Sequence, residues 1–269
     1  MNDTYIVTAY VIIDDVLKLM NHHDDSRART SAAEILTIAV VAAKYFQNHH
    51  ERTVCILRQL GYITSVSVSR FNRRFHQLLA PLSRLLEVLS ALFRTGEVFV
   101  IDSMPLPVCK PVRAQRSTTI RGKRYRGRCH LKRETFYGFR LHLVCTSAGL
   151  PVAFDILPAS WHDLVPVQHL TAELPPRAKV VADRGYVSDY DGNLCYLYGD
   201  IDFIPLQRRN MIPNSDHYRA LIRQHRPMIE TVYSQLEKMG VQRLHNRTLI
   251  GRFLKVYASL LALLCNAFV

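Results

Sequence analysis

The sequence predicts a mixed α/β domain preceded by an all-helical region. Apolar residues recur at helical spacing through roughly the first 95 positions. At Glu97 the pattern changes to short apolar runs of strand type. From there the order reads β, ββ, α, β, α, β, α, as expected of a sheet flanked by helices.

Ser31 stands where it can cap a helix over AAEILTIAVVAAKYF, with Glu34 as its capping-box partner. A second helix is expected over residues 51–60, stopped by Gly61, and a third from Ser67 or Ser69 to about residue 93. Arg70, Arg73, Arg74 and His76 fall on or near the exposed side of that third helix. Helix, glycine turn and basic helix together suggest a DNA-binding helix-turn-helix; a helical bundle with solvated arginines is the other reading. EVFVID then reads as a strand ending in Asp102, and FRLHLVC and LPVAFDIL as a hairpin turning at Gly149. A helix over 162–174 precedes AKVVAD, a buried strand ending in Asp183, and IDFIPL, another strand. A long helix is expected over 217–239, interrupted or started near Pro227. The apolar run after Leu249 carries Lys255 and Asn266 and reads as a buried helix, not a membrane span. The expected division is a helical DNA-binding and dimerisation region over 1–95 and a catalytic domain over 96–269, the latter with a basic insertion at 110–133.

Lys and Arg total 35 against 22 acids, a net charge of +13. That excess favours polyanionic partners, of which nucleic acid is the commonest. The six cysteines show no CxxC spacing, which suits reduced thiols in a cytoplasmic protein. Cys109, Cys129 and His130 lack the second close pair that a zinc site would show. The N-terminus has neither the basic start nor the cleavage site of a signal peptide, so a soluble cytoplasmic protein without a membrane segment is expected.

Three carboxylates stand out. Asp102 and Asp183 each close an apolar strand, and Glu230 lies beside the apolar stripe of the helix RPMIETVYSQLEKMG, with Arg226 one turn earlier. Burying a carboxylate costs several kcal/mol unless it is paired or metal-bound, and ligands gather at strand ends in open α/β sheets. Taken singly, each acid reads as a turn residue, a helix cap or half of an ion pair. Together, in a basic chain, they point to a cage for hard divalent cations. Two such ions about 4 Å apart activate the attacking hydroxyl and stabilise the leaving oxygen of a phosphodiester.

Between Asp102 and Tyr137, the segment KPVRAQRSTTIRGKRYRGRCHLKR holds ten Lys or Arg and no acid. Gly122 and Gly127 suggest a mobile arch that DNA orders, with Arg121, Lys123, Arg124, Arg126 and Arg128 on phosphates and Tyr125 stacked on an unpaired base. Trp161, the only tryptophan, suits core packing or, beside the site, a displaced base.

VIDSMPLPVCK around Asp102, VVADRGYVS around Asp183 and RPMIETVYSQLEKMG around Glu230 resemble the three acidic blocks of DDE transposases from bacterial insertion sequences. The resemblance covers about two thirds of the chain, from residue 95 onward. It implies an RNase H-like fold with a mixed five-stranded sheet flanked by helices. It further implies two Mg²⁺ ions, replaceable by Mn²⁺, held by Asp102, Asp183 and Glu230. The implied activity is DNA cleavage at transposon ends followed by strand transfer into target DNA, by a homodimer on DNA in the bacterial nucleoid. Arg226 and Glu230 match the family's Y-x2-R-x3-E-x6-K block; Arg223 stands at its Tyr and Glu237 at its Lys, with Lys238 one residue beyond. Arg184 follows the second Asp, and His162 with Asp163 resembles an HD pair that supports the site. A nuclease of the same fold and a non-catalytic DNA-binding protein derived from a transposase are the alternatives.

Overall fold

A computed structural model of the chain describes residues 1–63, 66–129 and 133–269. They form two compact units, Met1–Leu89 with Leu236–Val269 and Ser90–Gln235. The last segment therefore groups with the helices, where the sequence reading ran a single catalytic region to the C-terminus.

The helical unit holds α1 (Asp3–Leu19), α2 (Ala32–Phe46), α3 (His50–Gln59), α4 (Val68–Gln77) and most of α5 (Leu79–Ala91). The expected capping box forms: Ser31 accepts from the Glu34 N–H, and the Glu34 carboxylate accepts from the Ser31 N–H at 2.7 Å. Ser67 caps α4, as expected. The single helix expected from there to residue 93 is instead two, because the chain tightens at Leu78, whose N–H turns back to Phe75. Helix α9 (Leu249–Cys265) is the one helix, among the described residues, long and apolar enough to cross a membrane. Its inward residues, among them Leu254, Leu260 and Leu264, are fully buried, and it lies against α2 and α1.

The second unit is built on a mixed sheet of six strands: β1 (Val98–Cys109), β2 (Arg126–Cys129), β3 (Glu134–Thr146), β4 (Pro151–Pro158), β5 (Lys179–Ala182) and β6 (Asp202–Pro205). The order is β2-β3-β1-β5-β6, with β4 also on β3. Five strands were expected. The sixth, β2, comes from the basic segment: it pairs with Glu134–Tyr137 of β3, and β4 pairs with the rest of β3. Over residues 110–129 that segment is thus folded where a mobile arch was expected. The hairpin turns at Gly149, φ +83°, where a Cβ would also meet Met228.

Helices cover both faces. Short α6 (Val167–Thr171), in place of the helix expected over 162–174, and α7 (Asp189–Gly199) supply one core with Phe99, Ile101 and Val180. On the other face α8 (Asp216–Lys238) lays Ile222 against Val181 and Ile204. Pro227 lies inside α8 without ending it, although its missing N–H removes one bond of the helical ladder.

The β1 ladder explains the proline-rich stretch after Asp102. Its parallel pairing with β5 stops at Ile101↔Ala182, whereas its antiparallel pairing with β3 continues through Pro105 and Pro107. Proline donates no N–H, so both fit a strand whose other edge has become free. Opposite Pro107, Gly138 lies under a β-bulge, and a Cβ there would stand 2.4 Å from the Leu106 carbonyl oxygen. Backbone cannot yield as a flexible side chain can. Gly138→Ala should therefore lose about 3 kcal/mol of stability, read as a lower urea midpoint at unchanged slope; an unchanged midpoint would show that the bulge is not tight.

Candidate active site

Asp102 and Asp183 are the first residues beyond the parallel β1–β5 ladder. That ladder is four pairs long and almost wholly buried, and it delivers them side by side, since neighbouring strands lie about 5 Å apart. Asp183 follows the end of β5, whereas Asp102, expected to end its strand, lies within β1, which continues to Cys109 along β3. Alternation along β1 puts Asp102 on the face covered by α8 and Ser103 on the opposite face. Asp102 Oδ1 accepts the Ser103 N–H at 2.7 Å, and Asp183 caps the turn at Arg184–Tyr186 by accepting the Arg184 N–H.

Arg226 lies one helical turn beyond Ile222, which anchors α8 on the sheet. Its Nη2 is 3.5 Å from Asp183 Oδ2 and 3.7 Å from Glu230 Oε1. One guanidinium therefore stands between two of the three predicted acids. Glu230 is mostly exposed, so its half of the pairing adds little stability.

A fourth acid joins them. Asp163 Oδ1 accepts from Ser103 Oγ at 2.8 Å, and Arg140 Nη1 donates to the same hydroxyl oxygen at 3.3 Å. Arg140 is itself tied to the Arg128 carbonyl at 2.8 Å. His142, opposite Ser103 in the β1–β3 register, is fully buried, with Nδ1 3.9 Å from Asp163. Burial pushes its imidazole down to about 4, so it is neutral at pH 7 and makes no ion pair with Asp163. His162 is exposed; its Nδ1 accepts the Leu164 N–H.

Burial pushes the Asp102 carboxyl up to about 7, helped by the charges of Asp183 and Asp163 and opposed by the Ser103 N–H and Arg226. The Tyr233 hydroxyl on α8 is buried in the same surroundings and has no partner among the described residues. These groups fit a hard cation: the donors are carboxylate oxygens, and Arg226 already balances two of them. As the side chains stand, no three His, Cys, Asp or Glu among the described residues are grouped to hold an ion. Arg226 keeps Asp183 and Glu230 engaged instead.

Arg121, Lys123, Arg124, Arg126 and Arg128 are all exposed, and three of them line a cleft of about 230 Å³ with Gln115 and Tyr137. Tyr125 is not free to stack on a base: it is buried edge-on against Tyr137 and Phe139. Trp161 shows the reverse, being exposed rather than core. Arg184 is exposed beside Asp183. His130 lies outside the described residues, as does part of the link between α3 and α4 on which the helix-turn-helix reading rests. In the helical unit Arg70 and Arg73 are exposed, Arg74 pairs with Asp24, and Lys238 is exposed in the last turn of α8.

The sequence reading missed Ser103, Arg140 and His142. A signal was present in FRLHLVC, where Arg140 and His142 share the face opposite to Leu141 and Leu143.

Carboxylates just past the parallel ladder of two adjacent strands, beneath a covering helix with a third, define an acid-lined α/β enzyme site. The chain belongs to the DDE transposases: the family profile described as Transposase DDE domain matches residues 94–248, which include Asp102, Asp183 and Glu230. DNA is accordingly its partner. No curated protein and no solved structure matches the chain.

Proposed function

We propose that the protein is the transposase of an insertion sequence, cleaving DNA at the element's ends and joining those ends to target DNA. The observation that carries the reading is the adjacency of Asp102 and Asp183 where the parallel ladder stops, with Arg226 joining Asp183 to Glu230. The sheet order without β2 suits an RNase H-like core. In this reading Asp102, Asp183 and Glu230 hold two Mg²⁺ or Mn²⁺ ions, and Glu230 leaves Arg226 to do so. Such ions polarise the scissile phosphate and lower the pKa of the attacking hydroxyl.

The protein's own groups do the rest. Arg140 holds the Ser103 hydroxyl that donates to Asp163, and Asp163 with His162 supports the site as a positioning pair. The exposed bases over 121–128, with Arg184, neutralise DNA phosphates and position the strand without reading sequence. In the helical unit Arg70, Arg73, Arg74 and Lys238 meet phosphates as well, and in the sheet unit Trp161 offers a stacking surface. The working form is a homodimer holding two ends, acting at the bacterial nucleoid.

The test is purified protein with labelled DNA carrying the inverted repeats that flank its gene. Mg²⁺-dependent 3′-end cleavage followed by covalent joining to a plasmid is expected. Cleavage without joining would make the protein a nuclease; binding without either would make it a non-catalytic DNA-binding protein.

A further inference from the structure

The helical unit contains a cleft of about 540 Å³ lined by none of the residues named under the proposed function. It opens where two helices begin. Thr248 caps α9 by accepting the Gly251 N–H, and His49 caps α3 by accepting the Arg52 N–H. His76 on α4 ties the wall together, with Nε2 3.0 Å from Thr248 Oγ1. Gly251 leaves room for that contact: a Cβ there would stand 3.1 Å from the same nitrogen.

Two chemistries meet in this cleft. Its outer part carries Arg243, His245 and Arg247, all exposed, with half-buried Lys255; among the described residues the only acid lining it is Glu51, which is exposed. Helix N-termini add partial positive charge, so this part favours an anion. The deeper part is neutral and accepting. Asn48 is 1% exposed, and its amide nitrogen is spent on the Met239 carbonyl and Ser259 Oγ. Its Oδ1 has no partner among the described residues. His50 is 8% exposed and lies edge-on to Phe71 and Phe75. Burial, then Lys255, pushes it down to about 3, so it is neutral. Nδ1 faces Asn72 Oδ1 at 3.4 Å; with the ring proton assigned to that contact, Nε2 is an acceptor without a partner among the described residues.

A duplex phosphate would satisfy the cations and leave both buried acceptors unpaired. The matching ligand is anionic at one end and a hydrogen-bond donor at the other, and the volume lies within the usual range for a small-ligand site. We propose that this cleft receives an unpaired nucleotide of the DNA substrate, its base donating to Asn48 and His50 and its flanking phosphates lying against Arg243, Arg247 and Lys255. This rests on the transposase reading for the identity of the nucleic acid. Unstacking one base costs a few kcal/mol, least where the strand is already unpaired, so the cleft selects frayed or single-stranded ends.

The experiment is fluorescence anisotropy without divalent metal. It uses the full chain and terminal-repeat DNA, either blunt or with a three-cytosine single-stranded overhang. Wild type should bind the overhang DNA at least about tenfold more tightly. Arg243→Ala/Arg247→Ala, two exposed positions, should lose that preference while keeping its melting temperature, and its salt slope on overhang DNA should fall by about 2. Abasic overhangs should lose the preference in wild type too, which phosphate contacts alone would not produce. Equal binding of both DNAs by wild type and variant overturns the cleft assignment and leaves the transposase reading standing. Displacement of the overhang DNA by micromolar free dCMP makes the cleft an effector site and overturns it as well. No binding of either DNA by wild type ends both.

Discussion

An Asp183→Asn variant should join transposon ends to target DNA at least about 1,000-fold more slowly than wild type, yet bind those ends at least as tightly. The first half follows from what the carboxylate does. A metal-held phosphoryl site supplies several kcal/mol of transition-state charge stabilisation, and about 4 kcal/mol is a factor of a thousand in rate. The second half follows from charge. Asn keeps the shape and the Arg184 cap acceptor but removes one negative charge from a surface that meets phosphates. It also releases part of Arg226 for the DNA. Asp102→Asn and Glu230→Gln should behave alike, whereas Asp200→Asn, on an exposed loop outside the site, should join normally. If Asp183→Asn joins within tenfold of wild type, the three acids do not form the reactive centre.

The parts of the site that could be read from the sequence are those built by local rules. An apolar run terminated by a carboxylate announces a buried strand delivering charge to its end, and this holds at Asp183. Asp102 instead lies inside β1, which runs on to Cys109 along β3, and marks only the end of the ladder with β5. The capping box at Ser31 and the turn at Gly149 are equally local. What escaped was set by register between strands distant in sequence. β2 reads RGRC, with Arg126 and Arg128 exposed, so no apolar alternation marks it. Gly127 earns its place through Phe136 and Ala159, which would clash with a Cβ. Burial of Tyr125 follows from that same pairing, because it sets the ring against Tyr137 and Phe139. Asp163 reaches the site through Ser103, sixty residues earlier. His142 faces Ser103 only because β1 and β3 align there. The break at Leu78 splits a continuous helical pattern, which periodicity alone does not reveal.

Asp102 also gives a stability prediction, independent of any DNA assay. Its folded pKa of about 7 lies above the ordinary 3.8. The folded protein therefore holds this proton between those values while the unfolded chain has lost it, and stability falls as pH rises through that window. Below pH 4 both states are protonated and the penalty is absent; above pH 7 it is complete, at up to about 4 kcal/mol. Asp102→Asn removes the ionisable group and should be the more stable protein at pH 8 in EDTA by several degrees of melting temperature, with the gap closing toward pH 4. Mg²⁺ acts on the same term from the other side, because a cation bound by the ionised carboxylate stabilises the folded state. Added Mg²⁺ should therefore raise the melting temperature of wild type at pH 8 and leave Asp102→Asn nearly unmoved. A wild-type protein that matches or exceeds Asp102→Asn at pH 8 in EDTA would mean that Asp102 sits in water rather than in the low-dielectric crevice at the end of the ladder.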